Sequence, residues 1–333
     1  MPEQTTRPFA DLGPEVVLTA VESLDLITDG RLLALGSYEN RVWQVGLEQA
    51  DPVVVKFYRP GRWSDQAIEE EHQFARELVE GELSVVAPLT LNGATLHFHE
   101  NFRFTVFPRR GGHAPEPAHE PTLRHLGRVL GRLHAIGGAE SFHHRPALTI
   151  EERGDESVRW LLDNQWLPVH LEQAFERLGE QLLEAIRAGF ERGGDFGTLR
   201  LHGDCHPGNI LWRDDQAHFV DLDDCLTGPA IQDLWMLISG HSQERELQLG
   251  WLVEEYRRFN DFDTRELQLI EPLRTLRMLY YQAWLARRWD DPAFPAAFPW
   301  FADDRHWENI IEQLKEQLGE LAEPALSLPE SGS

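Results

Sequence analysis

Between Leu201 and Asp221 the chain carries three oxygen-bearing side chains at intervals that few folds can use together. His202-Gly203-Asp204 is followed, after four residues, by Asn209, and twelve residues further on Asp221 closes the apolar pair Phe219-Val220. An aspartate alone in a loop is ordinarily a cap or turn residue. A carboxylate, a neutral amide and a second carboxylate in this order have the spacing of a phosphoryl-transfer loop followed by a metal-binding strand end. That reaction requires phosphates held in place, charge neutralised by a metal, and a carboxylate to orient the acceptor hydroxyl. Asp204 suits the last role. Asn209 and Asp221 offer hard oxygens for magnesium, or for manganese in its place. His202 reads as a residue that holds the loop, and His206 suits packing or a substrate contact equally.

The rest of the chain reads as a frame for such a loop. At 333 residues it exceeds what one hydrophobic core ordinarily holds, so two lobes are expected. Strand patterns occupy residues 31–37, 41–47, 52–58, 94–99 and 102–107, with helical periods at 14–27 and 65–79, the latter burying Ile68, Phe74, Leu78 and Val79. Pro108-Arg109-Arg110-Gly111-Gly112 breaks the pattern as a hinge would. Beyond it lie helical periods at 122–136, 170–192, 244–259, 264–289 and 305–321, interrupted by short strands at 199–202 and 217–221. Residues 323–333 are expected to fray. The expected fold is α+β and two-lobed. Residues 1–108 form a strand-rich nucleotide-binding lobe, and residues 109–333 form a mainly helical catalytic and substrate lobe.

A phosphate-handling partner for the loop is sought on the strands. Lys56 ends the β-branched run Val53-Val54-Val55, and an apolar strand rarely turns a lysine inward without a partner. Glu69, Glu70 and Glu71 on the following helix are candidates, and Glu71 is chosen because it adjoins His72-Gln73-Phe74. A Lys–Glu pair would aim the ammonium at the α- and β-phosphates. Between the first two strands, Gly36-Ser37-Tyr38-Glu39-Asn40-Arg41 departs from the usual glycine-rich pattern, yet Ser37 could donate to a phosphate. A plain hairpin turn is the competing reading of that segment.

Composition narrows the partners. A net charge of −25 argues against nucleic acid and would suit a cationic substrate, although an acidic surface of this kind also serves solubility alone. No run of apolar residues has the length of a signal peptide or of a membrane span. Cys205 and Cys225 form no metal-type pair and read as reduced thiols edging one cleft, which fits a cytoplasmic protein.

Several segments together carry a family resemblance. They are Ser37-Tyr38-Glu39-Asn40-Arg41-Val42, Val54-Val55-Lys56-Phe57-Tyr58-Arg59-Pro60, Glu70-Glu71-His72-Gln73-Phe74 and the stretch 201–212. Val220-Asp221-Leu222-Asp223-Asp224, Gly228-Pro229-Ala230-Ile231-Gln232-Asp233-Leu234-Trp235-Met236, Ile270-Glu271-Pro272-Leu273-Arg274 and Asp291-Pro292-Ala293-Phe294-Pro295 continue it. The chain resembles the bacterial stress response kinase A family, within the choline kinase and aminoglycoside phosphotransferase branch of the protein-kinase-like fold. The resemblance implies a cytoplasmic serine/threonine protein kinase that uses ATP and magnesium in stress survival. It implies Asp204 as proton acceptor, Asn209 and Asp221 as magnesium ligands, Ser37 as an ATP contact, and Asp233 as a brace for the catalytic loop.

The chain departs from ordinary protein kinases in His206 two residues after Asp204, in Leu222-Asp223 after Asp221, and in the short stretch from Asp224 to Gly228. A small-molecule kinase acting on a cationic alcohol shares the same catalytic residues and is the alternative. Substrate choice between the two would lie around Asp223, Arg274, Arg277, Tyr281 and Trp284, residues that helical spacing equally assigns to a core. A non-catalytic binding module is disfavoured by the presence of Lys56, Asp204, Asn209 and Asp221 together.

Overall fold

The computed structural model describes residues 8–116 and 118–329, and the expectations for residues 1–7 and 330–333 lie outside them. The strands are β1 Thr28–Leu35, β2 Arg41–Leu47, β3 Val53–Phe57, β4 His97–His99, β5 Phe102–Pro108, β6 Leu199–Leu201, β7 Ile210–Arg213, β8 Gln216–Phe219 and β9 Leu226–Gly228. The α-helices are α1 Pro14–Glu22, α2 Asp65–Glu80, α3 Glu120–Gly137, α4 Glu156–Asp163, α5 Val169–Gly193, α6 Ile231–Trp235, α7 Ser242–Tyr256, α8 Ile270–Arg287, α9 Ala293–Ala297 and α10 Asp304–Ala322. The class is α+β, with an antiparallel strand-rich N-terminal sheet and a helical C-terminal region. The chain divides into two compact units. The first holds the described residues up to Pro115 together with Ser141–Arg145 and His206–Cys225, and the second holds the remainder.

In the first unit the sheet runs β1-β2-β3-β5-β4, every neighbour antiparallel. On β3 the pleat sends alternate side chains to opposite faces. Val53, Val55 and Phe57 pack into a core with Val17 and Val21 of α1, Val45 of β2, and Phe104 and Val106 of β5. Lys56 therefore faces the other way, lying between Val42 and Thr105 in the register. Ser64 caps α2 by accepting a hydrogen bond from the Ala67 N–H at 3.1 Å. The helix buries Ile68, Glu71, His72, Ala75 and Leu78 at three- and four-residue spacing. Val79, expected inside, is 45% exposed, because it falls one step beyond that stripe. The hairpin β7–β8 joins the same unit through bridges from Val85 to Phe219 and from His113 to Trp212. Gly112 permits the second of these: a Cβ there would lie 2.8 Å from Leu211 Cβ.

Among its described residues the second unit is mainly helical, with the β6–β9 ladder and a bridge from Ala147 to Thr227. Its core gathers Leu161, Phe175, Leu182, Ile186, Leu279, Phe294, Phe301, Trp307 and Leu314 from α4, α5, α8, α9, α10 and the turn before α10. The expected helix over 264–289 divides into a tight turn at Thr264–Leu269, started by the Asp263 side chain, and α8. The expected fraying after residue 322 does not extend to the described tail. Ser327 donates through both its N–H and hydroxyl to Glu246 at 2.8 Å, and Leu326 is buried. No helix among the described residues is long and apolar enough to cross a membrane.

Candidate active site

In the first unit, the lysine that β3 turns away from the apolar core meets a cluster of carboxylates. Lys56 Nζ lies 2.9 Å from Asp223 Oδ1, 3.0 Å from Asp221 Oδ1 and 3.8 Å from Glu71 Oε1. Lys56, Glu71 and Asp223 are buried, whereas the Asp221 side chain is half exposed. Burial opposes the lysine charge, but Asp221, Asp223 and Glu71 outweigh it and push the ammonium pKa well above its ordinary value. For Asp223, Lys56, Arg62 and Arg145 likewise outweigh burial and hold the carboxyl well below its usual range. Glu71 falls on the other side of this balance. Burial dominates there, and its pKa rises to about 7 despite Lys56.

That rise has a sign that can be measured. A carboxyl whose folded pKa exceeds its unfolded value keeps a proton in the fold that the unfolded chain releases. Glu71 should therefore cost the wild type stability, relative to Glu71→Gln, progressively as pH climbs from about 4.5 to about 7, with a plateau above. Denaturant midpoints of the two proteins across that window test this. A difference that stays flat, or moves in favour of the wild type, would refute the buried position of the carboxylate.

Of the residues that the sequence offers either for substrate choice or for a core, Asp223 lies in the first unit and is buried. It is the buried counter-ion of Lys56, also held by Arg62 and by Asn40 Nδ2 at 3.0 Å. Arg62 reaches on to Asp224 at 2.6 Å. Asn40 in turn accepts from the Arg59 N–H at 3.0 Å. Arg145 donates Nε to the Cys225 carbonyl at 2.9 Å and a further N–H to the Asp223 carbonyl, with its guanidinium 4.0 Å from the centre of the Trp63 ring. Asn40, Arg62 and Arg145 were missed as site residues. Asn40 lies inside a segment that carried the family resemblance, but Arg62 and Arg145 follow no local pattern. Glu70 proves to have a different task from its neighbour, accepting from the N–H groups of His143, His144 and Arg145 at 2.6–2.8 Å.

Asn209 and Asp221 are brought together by the β7–β8 hairpin, since the Asn209 carbonyl accepts from the Val220 N–H at 3.0 Å. The sequence puts Asp221 at the end of a strand. The structure ends the strand at Phe219 and sets Asp221 in the left-handed region at φ 59°, where aspartate is tolerated better than most residues. One neutral amide and one half-exposed carboxylate suit magnesium, which takes one or two carboxylates and completes its shell from phosphate and water. Among the described residues no group of three or more His, Cys, Asp or Glu side chains converges as a self-sufficient metal cage. Ser37 lies in the turn between β1 and β2, half-buried, its N–H donated to the Leu35 carbonyl at 2.8 Å.

In the second unit Asp204 follows β6 and forms an ion pair with Arg277 of α8. Its loop is held from below. Asp233 is fully buried and accepts from the His202 N–H at 2.8 Å and the Gly203 N–H at 2.9 Å. His134 Nε2 lies 3.1 Å from the same carboxylate. Gln232 Nε2 donates to the Gly203 carbonyl at 3.0 Å. Gly203 adopts φ 85°, a conformation open to glycine and costly for other residues, which lets two successive N–H groups turn toward one carboxylate. The thiols of Cys205 and Cys225 are both buried, each in its own unit. Burial, then Asp233 and Asp204, push Cys205 well up. Burial, only partly offset by Arg145, pushes Cys225 up to about 12.

Of the other residues named for substrate choice, Arg274, Arg277 and Tyr281 line an open groove of the second unit, while Trp284 packs against Phe294 in the core.

Comparison with known proteins places this geometry in context. Residues 31–270 match the phosphotransferase enzyme family. Stress response kinase A of Escherichia coli O157:H7 is 46% identical over 320 residues, covering 96% of this chain and 97% of that protein. The serine/threonine protein kinase RdoA of Salmonella typhimurium is likewise 46% identical, with the same coverage. Among solved structures, an amicoumacin kinase in complex with AMP-PNP, Ca2+ and Ami aligns with a TM-score of 0.69 at 18% identity, over 90% of this chain and 93% of that one. A microcompartment-associated aminopropanol kinase aligns with a TM-score of 0.67 at 18% identity, over 94% of this chain and all of that one.

Proposed function

This chain belongs to the phosphotransferase enzyme family and to the stress response kinase A family, and we propose that it is an ATP- and magnesium-dependent kinase that phosphorylates serine and threonine hydroxyls of proteins. The observation that carries the reading is the buried Lys56 ammonium held among Glu71, Asp221 and Asp223. Retaining a lysine in that position costs desolvation, and a phosphate-binding role accounts for it. The protein acceptor is supported by the name of the Salmonella relative. The solved neighbours named for amicoumacin and aminopropanol support a small alcohol as the second reading.

In this reading Lys56 binds the α- and β-phosphates and Glu71 keeps its ammonium aimed. Ser37 donates to a phosphate from the β1–β2 turn. Asn209 and Asp221 would hold magnesium, which would supply charge neutralisation at the phosphates. Asp204 orients the acceptor hydroxyl and takes its proton, and Asp233 keeps the Asp204 loop in place through the His202 and Gly203 N–H groups. Residues 1–108 serve mainly the nucleotide and residues 109–333 the metal and acceptor. The work is done in the cytoplasm, where ATP is available.

The reading is tested by nucleotide binding. A fluorescent ATP analogue should lose affinity on the order of tenfold or more when EDTA removes divalent metal, and Asp221→Ala should remove most of that metal dependence. Affinity indifferent to the chelator would overturn the assignment of Asn209 and Asp221.

A further inference from the structure

The second unit carries a groove of about 650 Å³, lined among others by Trp235, Arg274, Arg277, Tyr281, Trp300 and His306. In a chain of net charge −25, not one of its lining residues is Asp or Glu. Its formal cations are two arginines one helical turn apart on α8. His306 is pushed toward the neutral form by burial. Arg277 is 44% exposed and pairs with Asp204. Arg274 donates Nε to Glu271 at 3.1 Å, while one of its terminal nitrogens is buried with no hydrogen-bond partner. The Arg274 guanidinium also lies 5.0 Å from the centre of the Trp235 ring, which fixes its charge at the wall of the groove. Tyr281 and Trp300 are both more than a third exposed, offering flat apolar surfaces beside these donors.

The carboxylates beside the groove, Asp204 and Glu271, are each paired with one of its arginines, so a polycationic acceptor meets guanidinium groups before it meets an acid. From this, and resting on the kinase reading above, we infer that the groove receives an acidic peptide, with a carboxylate flanking the acceptor serine or threonine and taking Arg277. Arg277 then has two alternative anions. Without a peptide it covers Asp204. When a substrate carboxylate takes the guanidinium, Arg277 no longer occupies Asp204 Oδ1, and that oxygen can accept the hydroxyl proton. An acidic acceptor thereby uncovers the base that acts on it, and a basic one leaves it covered. Arg277 is a specificity-determining residue, and Arg274 adds a second positive charge beside it.

Binding can be read without catalysis, because Trp235 and Trp300 line the groove and report its occupation by fluorescence. Two seven-residue peptides, each with one central threonine, are compared, one flanked by aspartates and one by lysines, alongside an aminoglycoside. The full chain should bind the acidic peptide at least ~10-fold more tightly than the basic one. Arg277→Glu should invert that order, whereas a residue that only supports the fold would weaken both peptides alike. Thermal melting verifies that the half-exposed position tolerates the change. Equal or tighter binding of the lysine peptide or the aminoglycoside by the unaltered chain, or no binding of the acidic peptide, would overturn the inference. Selective binding of the acidic peptide with no phosphate transferred to it would sustain the inference and count against the protein-kinase reading instead.

Discussion

Asp204→Ala should lower phosphate transfer by at least ~100-fold, the lower end for a positioned acid–base group, while leaving the melting temperature nearly unchanged. The two halves of this expectation have separate causes. In the proposed function the Asp204 carboxylate orients and deprotonates the acceptor, and alanine offers no substitute. Its ion pair with Arg277 is partly solvated, with the arginine side chain 44% exposed. Such pairs contribute roughly 0–1 kcal/mol, so losing it costs little stability. The loop keeps its shape because Asp233 holds the His202 and Gly203 N–H groups independently of Asp204. Transfer from labelled ATP and a melting curve on the same preparation suffice. A variant that melts normally and turns over near the wild-type rate would show that Asp204 is not the base.

Lys56→Met should destabilise the first unit strongly. Methionine retains much of the stem but leaves Asp223 and Glu71 buried without the ammonium that neutralises them. Removing one partner from a buried ion network costs ~3–5 kcal/mol, a large share of a stability of about 5–15 kcal/mol. Arg62 and Arg145 still serve Asp223, and Glu71 can take up a proton, so the loss should lie at the lower end of that range. It should also grow with pH. Without Lys56 the Glu71 carboxyl holds its proton still more firmly in the fold, so the variant loses more stability than the wild type as the solution becomes alkaline. Chemical unfolding at mildly acidic and mildly alkaline pH separates these effects. A loss below ~1 kcal/mol at both would mean that the carboxylates around Lys56 are solvated rather than buried.

Much of the site was legible because its residues are bound to local geometry. The spacing from Asp204 through Asn209 to Asp221 reflects a loop, a hairpin and a turn that are close in sequence, so a one-dimensional pattern records them. Lys56 could be singled out because period-two alternation on a β-branched strand leaves a charged side chain with no solvent-facing explanation. Glu71 could be selected from three adjacent glutamates only through its neighbours. The structure then shows why the choice matters: one helical step separates a carboxylate beside Lys56 from one that caps the backbone at His143, His144 and Arg145.

What tertiary structure alone decided is the long-range charge pairing. Arg62 meets Asp223 from 161 residues away, and Arg277 meets Asp204 from 73. Arg145 reaches the backbone of Asp223 across 78. No periodicity encodes such partners, because a guanidinium at the end of a long flexible stem is placed by the packing of whole elements, not by its own backbone. The same reason explains why Asp223 could not be assigned from its position beside Asp221, and why the groove's lack of carboxylates could not be seen in a chain so acidic overall. The sequence by itself determined the strand and helix periods, the inward lysine and the loop proposed to carry the chemistry. The fold determined which charges neutralise one another and which surface is left free of acid, because burial, which sets the cost of an unpaired charge, exists only once the chain is packed.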